Sequence, residues 1–410
     1  MTRLDRAARL VSGALEEAVL AYVPLLGAIE RDHVRTALDG LRQTRGLPIK
    51  LAQMLHEMPE LVPEVVRTRL GAAYEGAPAV GWPTVRSTIE RELGGRVEDL
   101  FDHIEHTPLA VASLGQVHAA RFRDAPVAVK VQHPDLECAV GDDLALLRGA
   151  MRVTAWARPF QGIVDELALR LGEELDYREE AKNLDWFRTA LAPLEVEVPR
   201  PYFERSSQRV LTMSRLSGES FARWLANEPP VDARQRIAER LMRAYAAMIG
   251  DLRRIHADPS PGNVYVLASS ELGLLDLGST RWLSRPVSGL VAGLWARPDS
   301  ASTEEVALVF ESLGLLDPGD RETFEEHVVP LAKWFAGPHE HPDAPFDFTQ
   351  GGWAASGRER LRRLLHDGAR LGVHVEFVLL FRAVHGLFNL LDALRVEVPA
   401  SSVEARRSHP

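Results

Sequence analysis

His256-Ala257-Asp258-Pro259-Ser260-Pro261-Gly262-Asn263, followed thirteen residues after Asn263 by Asp276-Leu277-Gly278, is the stretch whose reading decides the fold. An Asp stands five residues before an Asn, and two short β-type runs, Val264 to Leu267 and Leu272 to Leu275, lead into an Asp-hydrophobic-Gly tripeptide. Magnesium is a hard cation that takes oxygen ligands, which the Asn263 amide and the Asp276 carboxylate supply while phosphate oxygens fill further positions. Asp258 then lies where an attacking hydroxyl or water must be oriented or deprotonated. Gly278 lets the chain turn sharply after the metal ligand. Pro-Ser-Pro-Gly-Asn is also ordinary turn chemistry. Order and spacing, at the end of a long predicted helix, favour the functional reading over that plainer one.

Upstream, Gly115 to Phe122 and Pro126 to Val131 read as two strands joined by a turn at Arg123-Asp124-Ala125. The second contains Val127-Ala128-Val129-Lys130, a lysine ending an apolar strand. A strand-end lysine is usually a solvated edge residue; here, ahead of the Asp/Asn/Asp series, it matches the lysine with which kinases contact α/β-phosphates. Its orienting carboxylate falls within Glu173-Glu174-Leu175-Asp176-Tyr177-Arg178-Glu179-Glu180. Such an acidic helical run is most often a solvated face with i,i+4 pairs, so residue types alone leave the choice of carboxylate open.

The 410 residues suffice for two or three domains or lobes, and 46% hydrophobic with 26% charged residues is a folded composition. The net charge of −10 opposes nucleic-acid binding. Cys138 is the only cysteine, which excludes an intramolecular disulfide and suits a reducing cytoplasm. No window of about 20 residues is free of charge. Val375 to Leu391, carrying Glu376, Arg382 and His385, is the nearest approach to a membrane span and reads as a buried amphipathic helix. A long helix is expected over Asp232 to Ile255, with an Asp232/Gln235 capping pair.

Together these motifs resemble the UbiB (AarF) family of atypical kinases, within the protein-kinase-like superfamily, over about Arg42 to Leu391. The family replaces the glycine-rich loop by an alanine-rich one, and Ala110-Val111-Ala112-Ser113 is similar to it. The resemblance implies that Lys130 contacts phosphate, that Glu180 is its helix partner, that Asp258 is the catalytic-loop aspartate, and that Asn263 and Asp276 bind the metal. Adenine recognition would fall to the backbone near Met213. Lys50-Leu51-Ala52-Gln53 is similar to the Lys-x-Gly-Gln signature, whose helix covers the site where a protein substrate would dock, with its lysine paired to the Glu-x-Asp motif, here Glu174-Leu175-Asp176. Three positions depart from the pattern: Ala52 for glycine, Ser260 for a usual histidine, and Ser214 for a usual acidic residue.

The expectation is therefore an α+β, bilobal protein-kinase-like fold with a helical N-terminal extension over 1–100, a small lobe over 101–215 and a mostly helical large lobe over 216–410. Implied function is ATP hydrolysis or phosphoryl transfer, with ATP and Mg2+ as cofactors and a small or lipid-related acceptor, in support of ubiquinone or isoprenoid lipid metabolism. Alternatives are a nucleotide-gated scaffold on lipids or a complex, and an antibiotic-type phosphotransferase. A cytoplasmic location is expected, with peripheral membrane contact left open. His339-Glu340-His341 reads as a polar loop before a metal site, and Arg358 to Arg363 as a solvated basic face before a lipid-headgroup patch.

Overall fold

Arg123 and Asp124 both adopt left-handed backbone, at φ 51° and 61°. A two-residue turn of that kind matches the twist of its flanking strands and so closes a tight hairpin. It joins two strands in register from Gly115↔Gln132 to Phe122↔Ala125. The computed structural model describes residues 79–111, 115–133, 175–267, 271–297, 302–339, 341–364 and 374–403. Ala112, Ser113, Lys50, Gln53 and Glu174, named above from the sequence, lie outside them.

In chain order the elements are α1 (Trp82–Leu93), α2 (Val97–Leu100), β1 (His103–Val111), β2 (Gly115–Phe122), β3 (Ala125–Gln132), α3 (Tyr177–Leu191), β4 (Val196–Glu197), β5 (Val210–Ser214), β6 (Gly218–Ser220), α4 (Phe221–Ala226) and α5 (Val231–Ile249). There follow β7 (Arg254–His256), β8 (Val264–Leu267), β9 (Leu272–Leu274), β10 (Thr280–Trp282), α6 (Arg285–Ala296), α7 (Thr303–Ser312), α8 (Arg321–Thr323), α9 (Val329–Ala336), β11 (Phe346–Asp347), α10 (Trp353–Arg363), α11 (Val375–Leu394) and β12 (Glu397–Val398). The chain forms two units: residues up to Ala181 with Pro201–Arg215, and Lys182–Arg200 with Leu216–Pro410.

In the first unit an antiparallel sheet runs β1-β2-β3-β5. Val127, Val129 and Val131 of β3 are fully or almost fully buried against Val85 and Ile89 of α1 and Val97 and Leu100 of α2. Each such side chain contributes on the order of 1.5 kcal/mol or more. Successive strand residues face opposite ways, so the same packing turns Ala128 and Lys130 to the other face. Helices α1 and α2, which the sequence reading assigned to the N-terminal extension, share this core.

The second unit is mostly helical, with short sheets β4-β9-β8-β6 and β7-β10. Helix α5 buries Ile237, Leu241, Tyr245 and Met248 completely, at the i,i+4 and i,i+3 spacing of one face. It ends at Ile249, six residues before the expected Ile255, and Pro230 rather than Asp232 stands at its N-cap, with no side-chain cap. The physical reason is competition: after Gly250 the backbone bends at Arg253 (φ 49°), and Arg254–His256 pairs with Thr280–Trp282. Helix α11 is long and apolar enough to cross a membrane by length and composition, yet Phe377, Phe381, Leu387 and Phe388 are buried within the unit. Phe381 and Phe388 lie 4.9 and 5.3 Å, centroid to centroid, from Trp334 of α9.

Candidate functional site

In the first unit, β3 presents Lys130 opposite Val117 of β2 and Leu211 of β5. Its Nζ donates to both oxygens of Glu180, at 3.0 and 2.8 Å. Both side chains are largely buried, 12% and 6% exposed, and the ammonium also lies 5.0 Å from the Tyr177 ring centroid. Two bonds set this register. Gln132 Nε2 donates to Leu175 O at 2.6 Å, and Tyr177 N–H donates to Gln208 O at 2.9 Å, tying the start of α3 to the sheet. Glu180 then follows Tyr177 by three residues, about one helical turn on.

Asp176 caps that start: its carboxylate accepts from the Arg178 backbone N–H and pairs with the Arg178 guanidinium at 2.7 Å. Ala110 and Val111 end β1 opposite Val117 and Gln116 and are exposed. Gly115 begins β2 so close to its neighbour that an added Cβ would stand 2.4 Å from Val131 O. Met213 pairs with Ala128 and Ser214 with Val127 on β5.

Sequence reading missed the polar brace beneath this sheet. Gln116 is 1% exposed; its Oε1 accepts from Val80 N at 2.8 Å and its Nε2 donates to Val80 O at 3.2 Å. The same amide reaches His118 Nε2 at 2.9 Å, and His118 Nδ1 meets Glu105 O at 2.8 Å. With the amide donating on one side, the ring is neutral and donates from Nδ1. Burial pushes His118 below the usual histidine range.

In the second unit the motif residues stand at strand ends. Asp258 follows β7, whose His256 pairs with Thr280 of β10, while Ala257 N donates to Ser279 O. Asn263 precedes β8; Leu275 N donates to its carbonyl at 2.8 Å, so the β8–β9 hairpin brings Asn263 alongside the residue before Asp276. Asp276 takes φ 52°, a left-handed conformation that Asp tolerates better than most residues. Asn263 Nδ2 donates to Asp258 Oδ2 at 3.0 Å and to Asp258 O at 3.1 Å. With the amide nitrogen so committed, its oxygen is the end suited to a cation. Among the described residues no group of three or more His, Cys, Asp or Glu could hold a metal. That donor set suits magnesium, which keeps most of its shell as water and phosphate oxygen, and does not suit a closed zinc or iron cage.

Three further residues brace the loop. Arg382 of α11 lies 3.4 Å from Asp258 Oδ1; a charge within an apolar helix was the available signal, since burial demands a partner. Helix α11 approaches closely enough there that a Cβ on Gly386 would stand 2.6 Å from Pro259 Cγ. Asn183 of α3 donates to Leu277 O at 2.9 Å and accepts from Arg254 Nη2. The Arg254 guanidinium carbon lies over the rings of Trp186, Phe187 and Trp282, 4.6, 5.4 and 5.2 Å from their centroids. Nothing in the local sequence marks Asn183 or Arg254, because their partners are distant in the chain. Beneath the loop Tyr245 OH donates to His256 O at 3.3 Å. Burial, with the Asp258 charge second, raises Tyr245 well above the usual tyrosine range. Burial lowers His256, although Asp258 and Asp276 pull the other way.

The other sequence candidates resolve into packing. His339 stacks on Phe346 with centroids 4.2 Å apart. Of the basic stretch, Arg362 and Arg363 bond Glu359 and hold its carboxyl down to about 2, Arg358 meets His385 at 3.0 Å, and Arg360 donates to Ser356 O.

A family model described as the ABC1 atypical kinase-like domain matches residues 73–307. Among curated proteins, AarF domain-containing protein kinase 1 of Xenopus laevis is 30% identical over 296 residues, 69% of this chain and 57% of that protein. Protein ACTIVITY OF BC1 COMPLEX KINASE 8, chloroplastic, of Arabidopsis thaliana is 34% identical over 227 residues, 53% of this chain and 30% of that protein. The chain thus spans little more than half of the one and under a third of the other. Among solved structures, the complex of Rv3197 with erythromycin from Mycobacterium tuberculosis covers 86% of this chain and 90% of its own, with a TM-score of 0.59 and 24% identity. At that identity the likeness bears on the fold, which is a protein-kinase-like α+β fold.

Proposed function

The chain belongs to the ABC1 atypical kinase-like family, and on that premise we propose that it binds Mg-ATP and either hydrolyses it slowly or transfers phosphate to a small or lipid-related hydroxyl acceptor. The observation that carries the reading is the buried Lys130–Glu180 pair at 2.8 Å. A carboxylate on a helix holds the ammonium extended and oriented, which is what a phosphate-contacting lysine requires. Asn263 and Asp276 would hold the metal, which supplies charge neutralisation at the phosphates. Asp258 would accept hydrogen from the attacking hydroxyl, while the Asn263 amide and Arg382 keep its carboxylate in place. Ala110 to Ser113 would approach the phosphates through the backbone, and Met213 would lie beside the adenine. The Lys50 to Gln53 helix would limit access by protein substrates through Glu174 and Asp176. Support for ubiquinone or isoprenoid metabolism and peripheral membrane contact belong to this same proposal.

The test is thermal stabilisation of the full chain by Mg-ATP. A rise in melting temperature that Asp276→Ala abolishes is expected; no rise in the parent chain overturns the reading. A second reading, an antibiotic-type phosphotransferase, is favoured by one observation: the solved relative was captured with erythromycin. Phosphorylated erythromycin, sought by mass spectrometry after incubation with Mg-ATP, decides for or against it.

A further inference from the structure

The second unit contains a cleft of about 490 Å3 that Asp258, Asn263 and Asp276 do not line. It lies between the C-terminal half of α5, helix α6 and the turn Ala400–Val403. Its volume is that of a small-molecule site. Spacing builds its floor: Arg243, Ala246, Ala247 and Gly250 fall at i, i+3, i+4 and i+7, on one face of the helix. Ala292 of α6 stands opposite, and a Cβ at Gly250 would come within 3.5 Å of it and 3.1 Å of Ala246 O. Small side chains are what keep this space open.

Among the polar groups that line the cleft, Arg243 and Ser402 offer donors. The half-exposed Arg243 guanidinium makes no ion pair or hydrogen bond with another described residue, whereas Arg240, one turn earlier, pairs with Glu195 at 3.3 Å. Ser402 is 2% exposed and lines the cleft, and its hydroxyl has no hydrogen-bond partner among the described residues. That hydroxyl is not among the buried side-chain atoms left without a partner, so it is open to the cleft and can donate to an acceptor on a ligand. Asp251, two residues past the end of α5, also lines the cleft.

We propose that this cleft binds a small organic monoanion with an apolar body. The anionic group sits on Arg243 and accepts from the Ser402 hydroxyl. The apolar body lies over Ala246, Ala247 and Ala292. Asp251 repels a second anionic group at the far end, which selects against dianions. This site is independent of the nucleotide reading, because none of its residues belongs to the Asp258 loop or the hairpin after it.

The probe is 1-anilinonaphthalene-8-sulfonate, one sulfonate on an aromatic body, titrated by fluorescence into the folded full chain. Saturable binding at one site per chain is expected, weakened about tenfold by Arg243→Ala and several-fold by Ser402→Ala. Ala247→Trp fills the floor and removes the saturable phase, and saturating Mg-ADP leaves it unchanged. Absence of a saturable phase overturns the proposal, as does one that survives Arg243→Ala at full affinity or is displaced by Mg-ADP. If Ala247→Trp lowers the melting temperature sharply, Arg243→Glu on the half-exposed face decides in its place: charge reversal must weaken binding more than Arg243→Ala does.

Discussion

The two units hold their motif residues by opposite means. In the first, Lys130 and Glu180 neutralise each other in a largely buried pair. In the second, Asp258, Asn263 and Asp276 stand at strand ends, held by backbone register and by an amide bond of 3.0 Å. A buried ion pair gains little net stability when complete but leaves an uncompensated charge when halved. Asp258 is a third exposed, so its 3.4 Å pair with Arg382 is partly solvated and losing it costs less. Under the proposed function, activity and stability are therefore entangled in the first unit and more nearly separable in the second.

Glu180→Ala is the strongest way to test that contrast. It removes both carboxylate acceptors that Glu180 offers the Lys130 ammonium and is expected to cost about 3 kcal/mol, read by urea denaturation. Lys130→Met/Glu180→Leu restores most of that stability while nucleotide binding stays lost. Asp258→Asn, by contrast, keeps the melting temperature within a few degrees while removing turnover. Equal destabilisation by Glu180→Ala and Asp258→Asn would erase the distinction between the units.

Acid probes the comparison on a smaller scale, because among the described residues each unit buries a histidine, His118 or His256, that is held below its usual range of about 6.5. The folded chain keeps both neutral, so the unfolded chain binds more protons as pH falls below that value. Stability is thus present above about pH 6.5 and is lost as pH falls through the lowered folded values. Thermal melts between pH 7.5 and 5 are expected to show this decline, and His118→Gln to flatten it. An unchanged slope in that variant would assign the whole effect to His256. The smallest effect expected is for Arg254→Lys, which loses the guanidinium packed among three aromatic rings and the fork that reaches Asn183. About 1 kcal/mol is expected from thermal melts, with turnover reduced more than stability if Asn183 positions Leu277.

Short-range patterns were legible and long-range partners were not. The β2–β3 hairpin, the β8–β9 hairpin and α11 followed from alternation, turn residues and apolar run, all local quantities. The end of α5 was overrun because Leu252 and Ile255 continue its apolar spacing, and pairing with β10, about 25 residues downstream, overrides it. Asn183, Arg254 and Gln116 carried no local mark, since each is explained by a partner between 36 and 94 residues away, as with Val80 for Gln116 and Leu277 for Asn183. Arg382 showed only as a charge in an apolar run, its partner Asp258 lying 124 residues away.

The order of residue types along this chain, with the family resemblance it carries, pointed to the kinase-like fold, because an Asp, Asn and Asp series at that spacing around a hairpin is a local pattern that sequence can show. Residue types left open which carboxylate of the acidic run meets Lys130; the resemblance pointed to Glu180, and the tertiary structure shows why that one is chosen. That choice depends on how Gln132 and Gln208 anchor the start of α3, and a helix displays Glu179 and Glu180 about 100° apart. Only the anchoring sets which of them faces the sheet.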